Sequence, residues 1–213
     1  MALSSTTAPA ASVAARLAPG FSDAVQDAQH CFRSLMQAMA RPGSLQDLTP
    51  PLANIPAPLT PMGAALALTL LDYDTPVWLD PALAHDPEAV AFLRFHTGAP
   101  VVDVPVEAAF ALVTAPERLI NLANFAQGTP EYPDRSATVI LMGQTFTGTP
   151  KIELSGPGIK DTTAFATSPV PPSFWNQVQA NNAQFPRGVD LIFAGKTQVA
   201  ALPRSTQLTM TEV

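Results

Sequence analysis

The stretch TPMGAALALTLLDYDTPVWLD, residues 60–80, predicts a helix, a turn and a buried strand in succession. Thr60 followed by Pro61 is a favoured helix start, a capping hydroxyl before a proline at the first helical position. The apolar run after them predicts a helix to about Leu71, and residues 72–76 read as a turn. Residues 77–79, Val-Trp-Leu, predict a short buried strand. A helix that leads into a buried strand is typical of an α/β protein.

The same alternation continues on both sides of this stretch. Apolar residues at helical spacing after Phe21 predict a first helix, with Ser22 as its cap and residues 41–43 as its end. Asp86 and Pro87 repeat the cap-plus-proline start, and Gly98 is the natural stop of that helix. We predict further helices over residues 116–127 and 172–182. The apolar stretches 101–106 and 109–113 predict at least one strand, and residues 137–142, 152–154, 189–193 and 199–202 predict further strands. The predicted class is α/β, three-layered, with a mixed sheet.

The composition excludes several classes of protein. Charged residues make up 13% of the chain, about half of the roughly 25% that is usual. Mean hydropathy is +0.17 and net charge −6, which is unlike a disordered chain. The longest apolar run, residues 62–71, is far shorter than the roughly 18 residues of a membrane span. We therefore expect a folded protein that exposes a neutral, partly apolar patch, covered in a dimer or a complex.

Charge and cysteine content restrict the partners and the compartment. The basic residues are scattered and the pI is about 4.9, which argues against a nucleic-acid partner. Cys31 is the single cysteine, so no intramolecular disulfide forms, and a reducing cytoplasm is expected. Cys31 itself is interpreted as a buried structural thiol. Residues 1–20 are expected to be a flexible N-terminal extension and residues 21–213 one α/β domain.

The common catalytic motifs are missing. The chain has no GxxxxGK[ST] or GxGxxG phosphate-binding loop, no GxSxG nucleophile elbow and no HExxH metal motif. Its lysines number three, Lys151, Lys160 and Lys196, and none sits in the setting of a pyridoxal phosphate Schiff base. The sequence therefore predicts no metal and no cofactor.

Two loop and helix-end positions are candidates for ligand binding. Ser155, Gly156 and Gly158 follow a predicted strand and could offer backbone N–H groups to an anion, but a tight turn is favoured because Pro157 removes one donor. His96 lies at a helix end, where the helix dipole favours its protonated form, so capping is favoured over catalysis.

Charged side chains supply the remaining candidates. Asp27 and Arg33 lie on one polar face of the first helix, most simply a solvated face. Arg187 and Arg204 flank the terminal strand pair, and Asp190 can pair with either of them. The two arginines could clamp a phosphate or form ion pairs that contribute little. The residues leave both interpretations open.

Several strings in sequence order resemble one family, the H subunit (PhnH) of the bacterial carbon–phosphorus lyase system. The resemblance runs from about Phe21 to Thr206 and is carried by VQDAQHCFR (25–33), AMARPG (38–43), LTLLDYDTPVWL (68–79), LRFHTGAP (93–100), LSGPGI (154–159), FPRGVDLIF (185–193) and ALPRST (201–206).

The resemblance implies a role in alkylphosphonate utilisation. Members of the family work with G, I and J subunits in a cytoplasmic core complex that replaces the adenine of ATP by an alkylphosphonate, and form homodimers in isolation. The resemblance also implies a fold similar to that of pyridoxal-phosphate-dependent transferases, without the cofactor. It carries no catalytic residue over to this chain.

Two functions follow from the sequence. In the first, the chain is an accessory or assembly subunit without an active site of its own. In the second, it is an enzyme or ligand-binding subunit that holds a phosphorylated ligand with Arg187 and Arg204, helped by His96 or Asp27. Arginines gathered in one concave pocket would favour the second function, and dispersed arginines the first.

Overall fold

The computed structural model describes residues 18–148 and 152–210. Of the predicted extension over residues 1–20, only residues 18–20 are therefore described. The helices are α1 (Ala24–Ala40), α2 (Pro61–Leu70), α3 (Pro81–Ala84), α4 (Pro87–Thr97) and α5 (Phe174–Asn182). The strands are β1 (Gln46–Asp47), β2 (Val77–Leu79), β3 (Val101–Val102), β4 (Phe110–Val113), β5 (Thr138–Gln144), β6 (Ile152–Ser155), β7 (Thr163–Phe165), β8 (Asp190–Gly195), β9 (Gln198–Leu202) and β10 (Gln207–Met210).

A seven-stranded sheet in the order β1-β9-β8-β5-β4-β2-β3 organises the chain. The strands from β8 to β3 are parallel to their neighbours, whereas β9 pairs antiparallel with both β8 and β1. The sheet is mixed, and the predicted α/β class with a mixed sheet is confirmed.

The predicted helix boundaries of α2 and α4 are confirmed because local capping sets them. Thr60 Oγ1 accepts a hydrogen bond from the Gly63 N–H at 3.0 Å, and Asp86 Oδ1 accepts one from the Ala89 N–H at 2.8 Å. Gly98 ends α4 in the left-handed region, with φ of 70°. These short-range contacts are readable from the sequence alone.

Both faces of the large sheet are buried. On the first face, α1, α2 and α4 pack against alternate strand residues, among them Leu79, Leu112, Ile140, Ile192 and Ala201. On the second face, α5, the segment after β4 and strands β6, β7 and β10 pack against the intervening residues, among them Trp78, Ala111, Val139, Leu191 and Phe193. This alternation follows from the period of two along a strand.

The buried side of α1 differs from the apolar periodicity of its sequence. Cys31, Leu35 and Ala38 are buried, whereas Phe32 and Met36 are about half exposed. The predicted cap is also displaced by one residue, because Asp23 Oδ1 accepts from the N–H groups of residues 25 and 26 in place of the Ser22 hydroxyl. The helix itself is confirmed, but its apolar side chains exceed what the core covers.

The helix predicted over residues 116–127 is wrong. The segment forms two short 3-10 turns, Pro116–Arg118 and Leu122–Asn124. Side-chain amides form hydrogen bonds with backbone N–H and C=O groups that would bond to each other in a helix. The Leu122 N–H donates to Gln177 Oε1 at 3.0 Å, and Gln127 Nε2 donates to the carbonyl oxygens of Leu122 and Phe125.

A second sheet was missed by the sequence analysis except for β6. It is antiparallel and three-stranded, in the order β10-β6-β7. Strands β7 and β10 have three and four residues. Each of these two strands buries one side chain, Phe165 and Leu208, so no apolar run marks either of them in the sequence.

Candidate functional site

The Arg204 side chain is held by the protein itself. Its Nε donates to Asp190 Oδ1 at 3.1 Å and its Nη2 to Asp190 Oδ2 at 2.5 Å, which makes the ion pair bidentate. Its Nη1 donates to the Pro133 carbonyl oxygen. The two side chains are only 16% and 14% exposed. The guanidinium therefore ties the start of β8 to the end of β9 and to the loop before β5.

Arg187 lies apart from this ion pair. Its side chain is exposed, and it does not line the cavity of about 360 Å³ that Arg204 borders together with Met39, Pro133, Phe185 and Asp190. Of the two pairings left open for Asp190, the structure shows the one with Arg204. The two arginines are not gathered in one pocket, which by the criterion stated above favours the accessory function.

The two α1 candidates have separate environments. The Asp27 carboxylate accepts hydrogen bonds from the Ser22 hydroxyl and the Asp23 N–H, so it closes the first turn of the helix. Arg33 is exposed on the solvent side. Nothing in the described part of the chain brings these two side chains together around a ligand position.

His96 fastens the chain that enters α1. One ring nitrogen, Nε2, lies 3.0 Å from the Ala18 carbonyl oxygen. A Cβ atom on Gly20 would lie only 2.8 Å from the ring's Nδ1, so the backbone passes directly over the imidazole. The ring also packs against Phe92, with centroids 4.5 Å apart. In this arrangement His96 positions residues 18–20 against α4.

The Ser155-Gly156-Pro157-Gly158 segment forms a tight turn, closed by a hydrogen bond from the Ile159 N–H to the Gly156 carbonyl at 3.1 Å. A Cβ atom on Gly158 would lie 2.3 Å from the Ala40 carbonyl oxygen, and φ there is 83°. The glycine therefore permits close packing against the end of α1.

Asp80 has the position of a functional residue, although the sequence did not indicate it. It follows β2 beside the end of β4, where ligands of open α/β sheets commonly bind. Its carboxylate is 4% exposed and accepts from the Leu83 N–H, the Thr114 N–H and hydroxyl, and the Ala115 N–H. The chain's own donors therefore occupy this carboxylate. The Asp80-Pro81 helix start was the signal that could have found it.

Cys31 is buried between α1 and α2. Burial raises the pKa of its thiol, since the thiolate would lose its hydration there; Asp27 raises the pKa further, and a hydrogen bond with Thr69 offsets part of the increase. A thiol with a raised pKa is a poor nucleophile. The predicted burial of Cys31 is confirmed.

The described residues contain neither a metal cluster nor a membrane span. No group of three His, Cys, Asp or Glu side chains within residues 18–148 and 152–210 could hold a metal ion. In the same ranges, no helix is long and apolar enough to cross a bilayer.

The outer side of α1 carries an uncovered apolar strip. Val25, Phe32 and Met36 are 66%, 49% and 46% exposed, and their spacing of seven and four residues aligns them along the helix. Met39, one turn further on, borders the same cavity as the exposed ring of Phe185. We call Val25, Phe32, Met36 and Met39 the α1 surface. An exposed patch of apolar residues is the part of the surface prediction that the structure confirms.

These features define a class of protein. The described residues form an α/β fold in which the one ion pair found among them is internal, and the longest helix leaves large apolar side chains partly in solvent. That combination is typical of a subunit that associates with other protein.

Comparison with known proteins gives the particular family. The model of a family described as "Bacterial phosphonate metabolism protein (PhnH)" matches residues 19–209. The chain is 43% identical over 188 residues to "Alpha-D-ribose 1-methylphosphonate 5-triphosphate synthase subunit PhnH" of Rhizobium meliloti (strain 1021), covering 88% of this chain and 93% of that protein. It is 31% identical over 182 residues to "Putative C-P lyase subunit protein HtxG" of Stutzerimonas stutzeri, covering 85% and 86%. The chain belongs to the PhnH family, as predicted from the sequence.

Proposed function

We propose that this chain is an accessory subunit of a carbon–phosphorus lyase core complex. In that complex it supports transfer of the ribose triphosphate of ATP onto an alkylphosphonate, with release of adenine. Family membership over most of the chain, together with two relatives that are both named as subunits, supports this role. The chain spans 93% and 86% of those relatives, so the likeness extends over nearly whole proteins.

The observation that favours an accessory role over an independent active site is the state of Arg204. Three of its N–H groups are already donated to Asp190 and Pro133. To bind a phosphate with this guanidinium, the protein would have to break an ion pair that is largely screened from water, which leaves Asp190 uncompensated.

The α1 surface is the proposed site of assembly. In isolation it would pair with the same surface of a second copy, and in the complex it would contact a G, I or J subunit. The low charge of the chain supports this, because large apolar contacts with few charges are characteristic of the core of an interface.

Three further features belong to this proposal. The chain works in the cytoplasm, residues 21–213 form one domain, and the fold is related to pyridoxal-phosphate-dependent transferases without using the cofactor. The large sheet supports the single domain, since both apolar clusters share its strands.

Reconstitution tests the proposal. The purified chain is mixed at micromolar concentration with the other subunits of the synthase from the same bacterium, and the mixture is analysed by gel filtration. We expect co-elution of the wild type, at least tenfold weaker association of Phe32→Glu, and wild-type behaviour of Gln37→Glu, which adds the same charge on the polar side of α1. Failure of the wild type to co-elute would refute the subunit role.

Calorimetry with ATP tests the enzyme alternative. We expect no binding to the isolated wild-type chain. ATP binding that is lost in Arg187→Ala would contradict the accessory role and favour a phosphorylated ligand held by this chain.

A further inference from the structure

A second surface, on the other side of the large sheet, has a different chemical character. It is a groove of about 230 Å³ between α5 and residues 121–127. The α5 side is formed by residues 173, 176, 177, 180, 181 and 184, which share one side of the helix. The opposite side of α5 buries Phe174, Trp175 and Val178 in the second apolar cluster. The groove therefore lies on a helix that the core holds firmly.

The lining is neutral and unusually rich in carboxamides. Of the seventeen Asn and Gln residues of the chain, six line this groove, and none of its ten lining residues is charged. The six are Asn121, Gln127, Asn176, Gln177, Asn181 and Gln184. A carboxamide offers both a donor and an acceptor, so the groove is suited to a ligand that alternates the two.

Four of these amides bond to the chain's own backbone and two remain available. Asn121 Oδ1 accepts from the Ala123 N–H, and Gln127 Nε2 donates to the carbonyl oxygens of Leu122 and Phe125. Gln177 and Asn181 are committed, since Gln177 Oε1 accepts from the Leu122 N–H and Asn181 makes two bonds with the backbone of Val189. The side chains of Asn176 and Gln184 make no hydrogen bond within the described residues. Gln127 Oε1 is a buried acceptor that lacks a partner among them. The uncommitted carboxamides of Asn176 and Gln184 can accept as well as donate, so the groove suits a ligand that brings N–H groups.

The same lining argues against the common small ligands. A phosphate or carboxylate would find no cation in it, and a nucleobase would find no aromatic ring on which to stack. An extended polypeptide main chain is neutral and presents N–H and C=O groups in alternation. Helix α5 has nine residues and is about 14 Å long, the length of about four extended residues.

We propose that the groove between α5 and residues 121–127 binds an extended, uncharged segment of another subunit through its main chain. This inference rests on the proposed role as a subunit and adds a second contact to it. The α1 surface lies on the first face of the sheet and the groove on the second, so the two contacts do not compete. The chain then joins two neighbours in the assembly.

The test compares two charge additions on α5. Ala180→Glu places a carboxylate in the groove. Gln179→Glu places one on the preceding residue, which is exposed but does not line the groove. Both variants are mixed with the purified partner subunits of the synthase. Two quantities are measured, the affinity of the association and the protection of the partner subunits from hydrogen exchange. We expect Ala180→Glu to bind at least tenfold more weakly, Gln179→Glu to stay within twofold of wild type, and a partner segment free of charged residues to lose its protection only with Ala180→Glu.

Every other outcome overturns the inference in a recognisable way. Equal binding of both variants would show that the groove is not an interface while leaving the subunit role intact. A protected segment rich in charges, or adenosine that binds the chain alone and is lost with Ala180→Glu, would replace the proposed occupant. A wild-type chain that binds no subunit would refute the proposed function itself.

Discussion

The α1 surface exposes apolar side chains, whereas the junction of β8 with β9, where Arg204 pairs with Asp190, buries charged ones. At the junction, the chain uses one of its few arginines and one of its few acids internally, in an ion pair with little exposure. On α1, large apolar side chains that could have entered the core remain in solvent. The difference suggests that the charged pair stabilises the fold and the apolar strip serves association. Variants at the two places should therefore affect different measurements.

The largest effect is expected at the junction. Arg204→Ala leaves the Asp190 carboxylate uncompensated in a largely buried position, so we expect the free energy of unfolding to fall by about 3 kcal/mol. Urea unfolding measures it. Arg187→Ala is the matched control, and as an exposed residue it should change stability by less than about 0.5 kcal/mol. Equal small effects of both variants would contradict a structural role for Arg204.

A somewhat smaller effect is expected at Asp80. Asp80→Asn replaces one accepting oxygen by an NH₂ group that faces backbone donors, which should lower stability by about 2 kcal/mol. The exposed Asp74→Asn should leave the urea midpoint unchanged. If Asp80→Asn were as stable as the wild type, the carboxylate would not be the tie between β2 and β4 that its four donors indicate.

Phe32→Glu should show the reverse pattern. Because the ring is about half exposed, the variant should keep its stability within about 1 kcal/mol of the wild type while its association with partner subunits weakens at least tenfold. Parallel urea unfolding and gel filtration separate the two effects. A large loss of stability with unchanged association would assign Phe32 to the core and not to an interface.

The smallest effect concerns Cys31 and pH. Burial raises the pKa of its thiol in the folded state, so the proton is held more tightly folded than unfolded. The stabilisation that the buried Cys31 thiol contributes is fully present below the unfolded pKa of about 8.5, and it is lost as pH rises through the folded pKa. Urea unfolding at neutral pH and at high alkaline pH should show a larger decline for the wild type than for Cys31→Ala. Identical declines would contradict this.

Local signals made part of this molecule predictable. Helices α2 and α4 follow from Thr60-Pro61 and Asp86-Pro87, whose capping bonds join residues only three apart. The buried strands of the large sheet were recognised by their apolar runs. The helix over residues 116–127 failed because Gln177, more than fifty residues away in sequence, binds the backbone of Leu122. No local pattern reports such a contact.

The candidate site was predictable to a similar extent. The sequence named Arg204 and an Asp190 partner, but the choice between an internal ion pair and a phosphate clamp required the position of Arg187. The apolar spacing predicted α1 as a helix. Which of its apolar side chains stay exposed depends on which side of the helix packs against the sheet, and the sequence does not show that. The carboxamide groove joins residues 121–127 to α5 across the chain and has no local signal.

Hydroxyl-radical footprinting of the chain, alone and assembled with its partner subunits, shows whether the α1 surface becomes buried against another protein. It reports the solvent exposure of individual side chains without any substitution. We expect Phe32 and Met36 to be oxidised readily in the isolated chain at high dilution and to become strongly protected in the assembly. Oxidation of both side chains at the same rate in the assembly as in the isolated chain would contradict this expectation.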